Sequence, residues 1–100
     1  MTLNELRYIV AVSQEKNFRR AAERAFVSQP ALSLAIQKLE EELGVQIFER
    51  SRTEVSLTPI GELIVAQAQR ALEETALIRE IARQGKDQLI GSLKVGAIYT

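Results

Sequence analysis

Residues 17–52 read NFRRAAERAFVSQPALSLAIQKLEEELGVQIFERSR: a short helical pattern, a tight break, a longer helical pattern, then short extended runs. This order constrains the fold more than any other feature, because each boundary carries its own chemistry. Asn17 can accept a hydrogen bond from the first free N–H groups of a helix over 18–25. Ala21, Ala22 and Ala25 give that helix a small-residue face on which a second helix can cross closely. Phe26 and Val27 are expected to plug the corner after it. Ser28 or Gln29 opens a third helix, and Pro30 is tolerated in its first turn because the missing N–H is not needed there. Leu32, Ala35, Ile36, Leu39 and Leu43 form its inward stripe. Gly44 stops it, since glycine adopts the left-handed conformation at no steric cost.

The flanks complete the pattern. Thr2 and Glu5 have capping-box spacing, and Leu3, Leu6, Ile9 and Val10 then recur at helical intervals, predicting a first helix that ends near 14–16. After Gly44, residues 45–48 and 54–57 alternate as short strands joined by 49–53, a two-stranded wing. Thr58 followed by Pro59 starts a fourth helix, predicted to reach Arg83 or Gln84. Along it Ile60, Ile64, Ala68, Ala71, Thr75, Ile78 and Ala82 keep spacings of three and four, with Leu72 beside them. A helix of about 25 residues is nearly 40 Å long. Three short helices cannot cover that length, so its stripe is expected to pair with a second chain.

Polar residues between Gly85 and Gly91 suggest a hinge, and 93–100 reads as the first strand of a further domain. The expected organisation is a mainly α winged helix-turn-helix domain over 1–58, a linker and dimerisation helix over 59–84, a hinge over 85–92, and an opening strand over 93–100. The 100 residues are thus expected to be the N-terminal part of a larger protein.

Composition narrows the chemistry. The chain has no cysteine and no histidine, so it lacks thiolate ligands, thiol nucleophiles and the commonest general base. Its glycines are dispersed, no phosphate loop follows a strand, and its carboxylates fall on predicted solvent faces. No catalytic residue, metal site or cofactor is expected. No apolar run approaches membrane-spanning length, and the N-terminus lacks a basic region followed by an apolar one, so a cytoplasmic protein is expected.

A helix, break, helix and wing in this order can place the third helix in the DNA major groove. Pro30, Ser33, Leu34 and Gln37 lie opposite its core stripe, with Ser28 and Gln29 at its leading end; Gln29, Pro30, Ser33, Leu34 and Gln37 are the candidates for base contacts. Glutamine pairs with adenine edges, serine bonds bases or phosphates, and leucine can touch a thymine methyl. Arg19, Arg20, Ser28 and Lys38 are candidates for the phosphate backbone. In the wing, Arg50 and Arg52 can enter the minor groove or hold its phosphates, and Thr53 can help with a phosphate, although Arg50 could instead pair with Glu49 or the fourth helix. Glu40, Glu41 and Glu42 must point away from DNA, at the trailing end of the third helix. Net charge is zero, with eight basic and eight acidic residues over 1–58. A DNA-binding face therefore requires charge sorted to one side and more than one copy of the domain. The rival reading is a helical protein-interaction module that pairs through the fourth helix without DNA.

As an ordered set, Asn17-Phe18, Ala21-Ala22-Glu23, Val27-Ser28-Gln29-Pro30-Ala31-Leu32-Ser33, Leu39-Glu40, Leu43-Gly44, Phe48-Glu49-Arg50 and Leu57-Thr58-Pro59 with Gly61 resembles the N-terminal part of LysR-type transcriptional regulators. Within that family the start, the Asn17-Phe18-Arg19-Arg20 segment and 93–100 are most similar to the hydrogen-peroxide-responsive branch. The resemblance implies a winged helix-turn-helix with antiparallel pairing of the fourth helix. It also implies a tetrameric full-length protein on double-stranded DNA with an interrupted palindrome, and admits RNA polymerase as a partner. It places Gln29, Pro30 and Ser33 at base edges and Arg52 and Thr53 in the minor groove. Many members carry arginine where this chain has Leu34, which favours shape or thymine-methyl readout here. Peroxide-responsive members sense with a cysteine pair in the effector domain, outside these residues. A regulator answering a small metabolite would share everything up to that domain.

Overall fold

The computed structural model describes residues 1–51 and 54–94. Helices α1 (Leu3–Glu15), α2 (Phe18–Ala25) and α3 (Gln29–Leu43) precede strands β1 (Phe48–Arg50) and β2 (Val55–Leu57) and helix α4 (Pro59–Lys94). The strands form an antiparallel pair in the register Phe48–Leu57, Glu49–Ser56 and Arg50–Val55. This is the predicted mainly α winged helix-turn-helix with a long C-terminal helix.

The helix starts fall where the side-chain chemistry puts them. Thr2 and Glu5 make the full reciprocal capping box. Asn17 Oδ1 accepts from the Arg20 N–H at 2.8 Å, and Ser28 Oγ accepts from the Ala31 N–H at 3.2 Å. Thr58 Oγ1 accepts from the Gly61 N–H at 2.9 Å, ahead of Pro59. Gly44 ends α3 at φ 73°, as predicted.

Ile9, Val12, Leu32, Ile36, Leu39 and Ile47 are fully buried, with Phe48 beside them. Ala21 and Ala22 are buried where α2 meets the rest of the core, as their size allows. From α4 this core takes Val65 and Ala68, with Ile64, Ala71 and Leu72 half-buried against it. Only the first part of α4 is therefore covered by its own domain.

Three expectations are corrected. Phe26 does not plug the corner: it is 94% exposed, at φ 59°. The Phe26 N–H bonds the Glu23 carbonyl and the Val27 N–H bonds the Ala22 carbonyl, a Schellman arrangement. That motif turns the residue after the left-handed one back toward the helix, so Val27 packs inward and Phe26 points out. Leu43 lies at the rim of the stripe and is exposed rather than inward. Helix α4 does not end at Arg83 or Gln84, and the expected hinge over 85–92 is helical, as are 93 and 94 of the expected strand. Gly85 and Gly91 each cost a helix only about 1 kcal/mol, and no proline lies between them to stop it. Residues 95–100 of the expected strand lie outside the described residues.

Candidate nucleic-acid interface

The leading end of α3 is open. Pro30, Leu34, Gln37 and Lys38 are exposed and Ser33 is half-buried on the side away from Leu32, Ile36 and Leu39, and Gln29 is exposed at the first position of the helix. Pro30, Leu34 and Gln37 thus share one helix face. Among the described residues, the side chains of Gln29, Ser33 and Gln37 make no hydrogen bond within the chain, so their polar atoms remain free for a ligand. Ser28 is committed to capping: its Oγ takes the Ala31 N–H and Pro30 has none, so of the first-turn donors the Gln29 N–H is the one left to suit a phosphate.

The predicted phosphate contacts divide. Arg20 is exposed and without an ion pair among the described residues, as is Lys38. Arg19 pairs with Glu23 at 3.5 Å, both well exposed, a link that costs little to break. Arg24 pairs with Glu15 at 3.3 Å.

The wing differs more from expectation. Arg50 Nη2 lies 3.5 Å from Glu40 Oε1, a partner the sequence does not suggest. Its guanidinium carbon also stands 5.5 Å from the Phe18 ring centroid, and Phe18 meets Phe48 edge-on at 6.1 Å. Arg50 is therefore held against the body of the domain, and its partner is Glu40 rather than Glu49 or the fourth helix. Arg52 and Thr53 lie outside the described residues. Ser51 Oγ donates to the Glu54 carbonyl at 2.9 Å and accepts from the Glu54 N–H at 3.3 Å, which closes the turn between the strands.

Glu40 also departs from the expected solvated carboxylate. Its side chain is only 11% exposed and accepts from the Ile47 and Phe48 N–H groups. The signal in the sequence is positional: a carboxylate in the last turn of a helix opposes the helix dipole, so it calls for a compensating partner. Glu41 and Glu42 are exposed at the trailing end. The Met1 ammonium donates to Glu42 Oε1 at 2.7 Å, and that hydrogen bond raises its pKa above the ordinary value.

The predicted pairing stripe on α4 is divided by burial. Ala68 is 3% exposed and belongs to the domain's own core, so it is not available to a second chain. Ala71, Leu72 and Ile64 are half-buried against that core, and Thr75 is half-buried while bonding the Leu72 carbonyl. Ile60, Ile78 and Ala82 are exposed, as are Leu77 and Ile81, which widen the stripe, and Leu63 outside it.

A free reading helix beside a short wing, carried on a long helix with uncovered apolar side chains, defines a DNA-binding regulator domain and not an enzyme. The model for the bacterial regulatory helix-turn-helix proteins of the lysR family matches residues 3–62. The chain belongs to that family. It is 43% identical over all 100 residues to the hydrogen peroxide-inducible genes activator of Pectobacterium carotovorum subsp. carotovorum, covering 33% of that protein. A full-length OxyR variant of Pseudomonas aeruginosa is 64% identical, with a TM-score of 0.84 over 89% of this chain and 30% of that one. The DNA-binding domain of BenM, solved on benA site 1 DNA, is 39% identical, with a TM-score of 0.81 over 84% of this chain and 94% of that one. The chain spans about a third of the length of the curated relatives it matches.

Proposed function

We propose that this chain is the DNA-reading and pairing part of a LysR-type regulator of peroxide-response genes. The observation that carries the DNA-binding reading is the unpaired exposed face of Gln29, Pro30, Ser33, Leu34 and Gln37 at the leading end of α3. It is supported by likeness to the BenM domain solved on benA site 1 DNA. In this reading α3 enters the major groove. Gln29 and Ser33 contact base edges, Leu34 lies against a thymine methyl, and Arg20 and Lys38 grip phosphates. The wing lies along the neighbouring minor groove. Two chains join through the exposed side chains of α4, Leu77, Ile78 and Ile81 among them, and read two half-sites of an interrupted palindrome. Two such dimers make the tetramer of the longer protein. The peroxide assignment rests on the whole-chain identity to hydrogen peroxide-inducible activators.

Duplexes selected by the chain from a randomised pool test the DNA reading. Gln29→Ala should weaken binding to the selected duplex by about 1–3 kcal/mol and relax preference at one position per half-site. Affinity should fall steeply with salt. Unchanged affinity and preference in Gln29→Ala would remove Gln29 from the reading face. For the peroxide assignment, the longer protein should change its footprint on the same duplex when treated with hydrogen peroxide, and an unaltered footprint counts against it.

A further inference from the structure

We infer that Glu40 is a positioning residue that sets the direction of the wing relative to the reading helix. The inference rests on the proposal that the wing lies along the minor groove. Glu40 sits in the last turns of α3, at the opposite end from Gln29 and Ser33. Its Oε2 accepts the Ile47 N–H at 2.8 Å and the Phe48 N–H at 3.3 Å, where the chain enters β1. Its Oε1 stands 3.5 Å from Arg50 Nη2, two residues further along the strand. One carboxylate on the reading helix thus holds the wing at its root and again at Arg50.

A negative charge near a helix C-terminus is unfavourable, so Glu40 does not serve α3 itself. Two N–H donors and a guanidinium offset that cost, because hydrogen bonds to an ionised acceptor are stronger than neutral ones. The same peptide is held from the other side. The Thr58 N–H donates to the Ile47 carbonyl at 2.9 Å, and Thr58 Oγ1 donates to the Gln46 carbonyl at 2.6 Å. The root of the wing is therefore pinned between α3 and the start of α4.

Geometry explains why this bears on recognition. From Phe48 to Ser51 the strand extends roughly 10 Å at 3.3 Å per residue. A pivot error of about 10° displaces its end by about 2 Å, more than a recognition contact tolerates. Without Glu40 the wing keeps its strand pairing but loses its fixed angle to α3.

The test uses the 100-residue chain and a two-half-site duplex selected by it from a randomised pool. Glu40→Ala, which removes the acceptor that a glutamine would keep, should bind about tenfold more weakly, in line with the loss of one or two backbone contacts. Hydroxyl-radical protection of the sugars flanking each half-site should disappear. Major-groove guanine protection and the base preferences read by α3 should persist, and the chain should stay folded by circular dichroism. Arg50→Ala leaves both N–H bonds to Glu40 in place and should lose part of the same flanking protection. Combining the two changes should cost little beyond Glu40→Ala alone. Flanking protection retained in Glu40→Ala overturns the inference, as does an equal loss of flanking and major-groove protection. A wild-type footprint with no flanking protection overturns the wing reading itself, and the role of Glu40 with it.

Discussion

Gly61 stands where the first turn of α4 meets the root of the wing. A Cβ at this position would fall inside the van der Waals surface of the Ile47 carbonyl oxygen, with the Ile47 carbonyl carbon and Thr58 Oγ1 each 2.9 Å away. The obstruction includes backbone, which cannot rotate aside. Gly61→Ala must therefore displace α4 from the 46–47 segment by about 1 Å to restore ordinary contact distances. That shift stretches the Thr58 N–H to Ile47 bond of 2.9 Å and the Thr58 Oγ1 to Gln46 bond of 2.6 Å. Each is worth about 1 kcal/mol net. Overpacking adds about 1–3 kcal/mol. Alanine's helix propensity returns about 1 kcal/mol. The balance is a destabilisation of about 2–4 kcal/mol, which lowers the melting temperature by on the order of 10 °C or more for a domain of this size. Gly85 lies on the same helix, and a Cβ there would meet nothing within 4 Å. Gly85→Ala should therefore stabilise, by up to about 1 kcal/mol. Thermal and urea melts of both variants check the pair. A Gly61→Ala chain as stable as the parent would refute the claim that backbone contact, and not propensity, decides this position.

Ile78 is 65% exposed on its own domain, so Ile78→Glu should leave the melt of the monomer unchanged while weakening dimerisation by about a hundredfold, seen in sedimentation as a shift toward monomer. Ser28→Ala removes the cap of α3 and should cost about 1 kcal/mol in a urea melt, with no cost if the first turn of α3 is held by other contacts. Phe26 holds a left-handed conformation with its ring in solvent, so Phe26→Gly should stabilise by about 1 kcal/mol in the same assay. A loss of stability there would mean that the ring packs against something in the folded chain.

Much of the open face of α3 is legible in residues 17–44. The boundaries of α2 and α3 are written in side chains that act on their nearest backbone neighbours: Asn17, Ser28, Pro30 and Gly44. The open face of α3 follows from the positions of Leu32, Ile36 and Leu39, because helical period alone sends the intervening residues outward. The wing is legible as a pair of strands but not as a held object. The contact of Glu40 with Ile47, Phe48 and Arg50 depends on how the chain folds back after Gly44, which periodicity along α3 cannot report.

The fourth helix marks the same limit. Its stripe of apolar residues requires a long amphipathic helix with something to pack against. Nothing in the sequence divides that stripe between neighbours, since Ala68 and Ile78 read alike as members of it. Packing gives Val65 and Ala68 to the domain's own core and leaves Leu77, Ile78 and Ile81 uncovered. The sequence by itself determined the helix starts, their caps and the open face of α3, because those are set by interactions within a few residues. The tertiary structure decided the inward turn of Glu40 and the division of α4. Each of these depends on which distant backbone or side chain arrives at the same place, and local pattern carries no record of that.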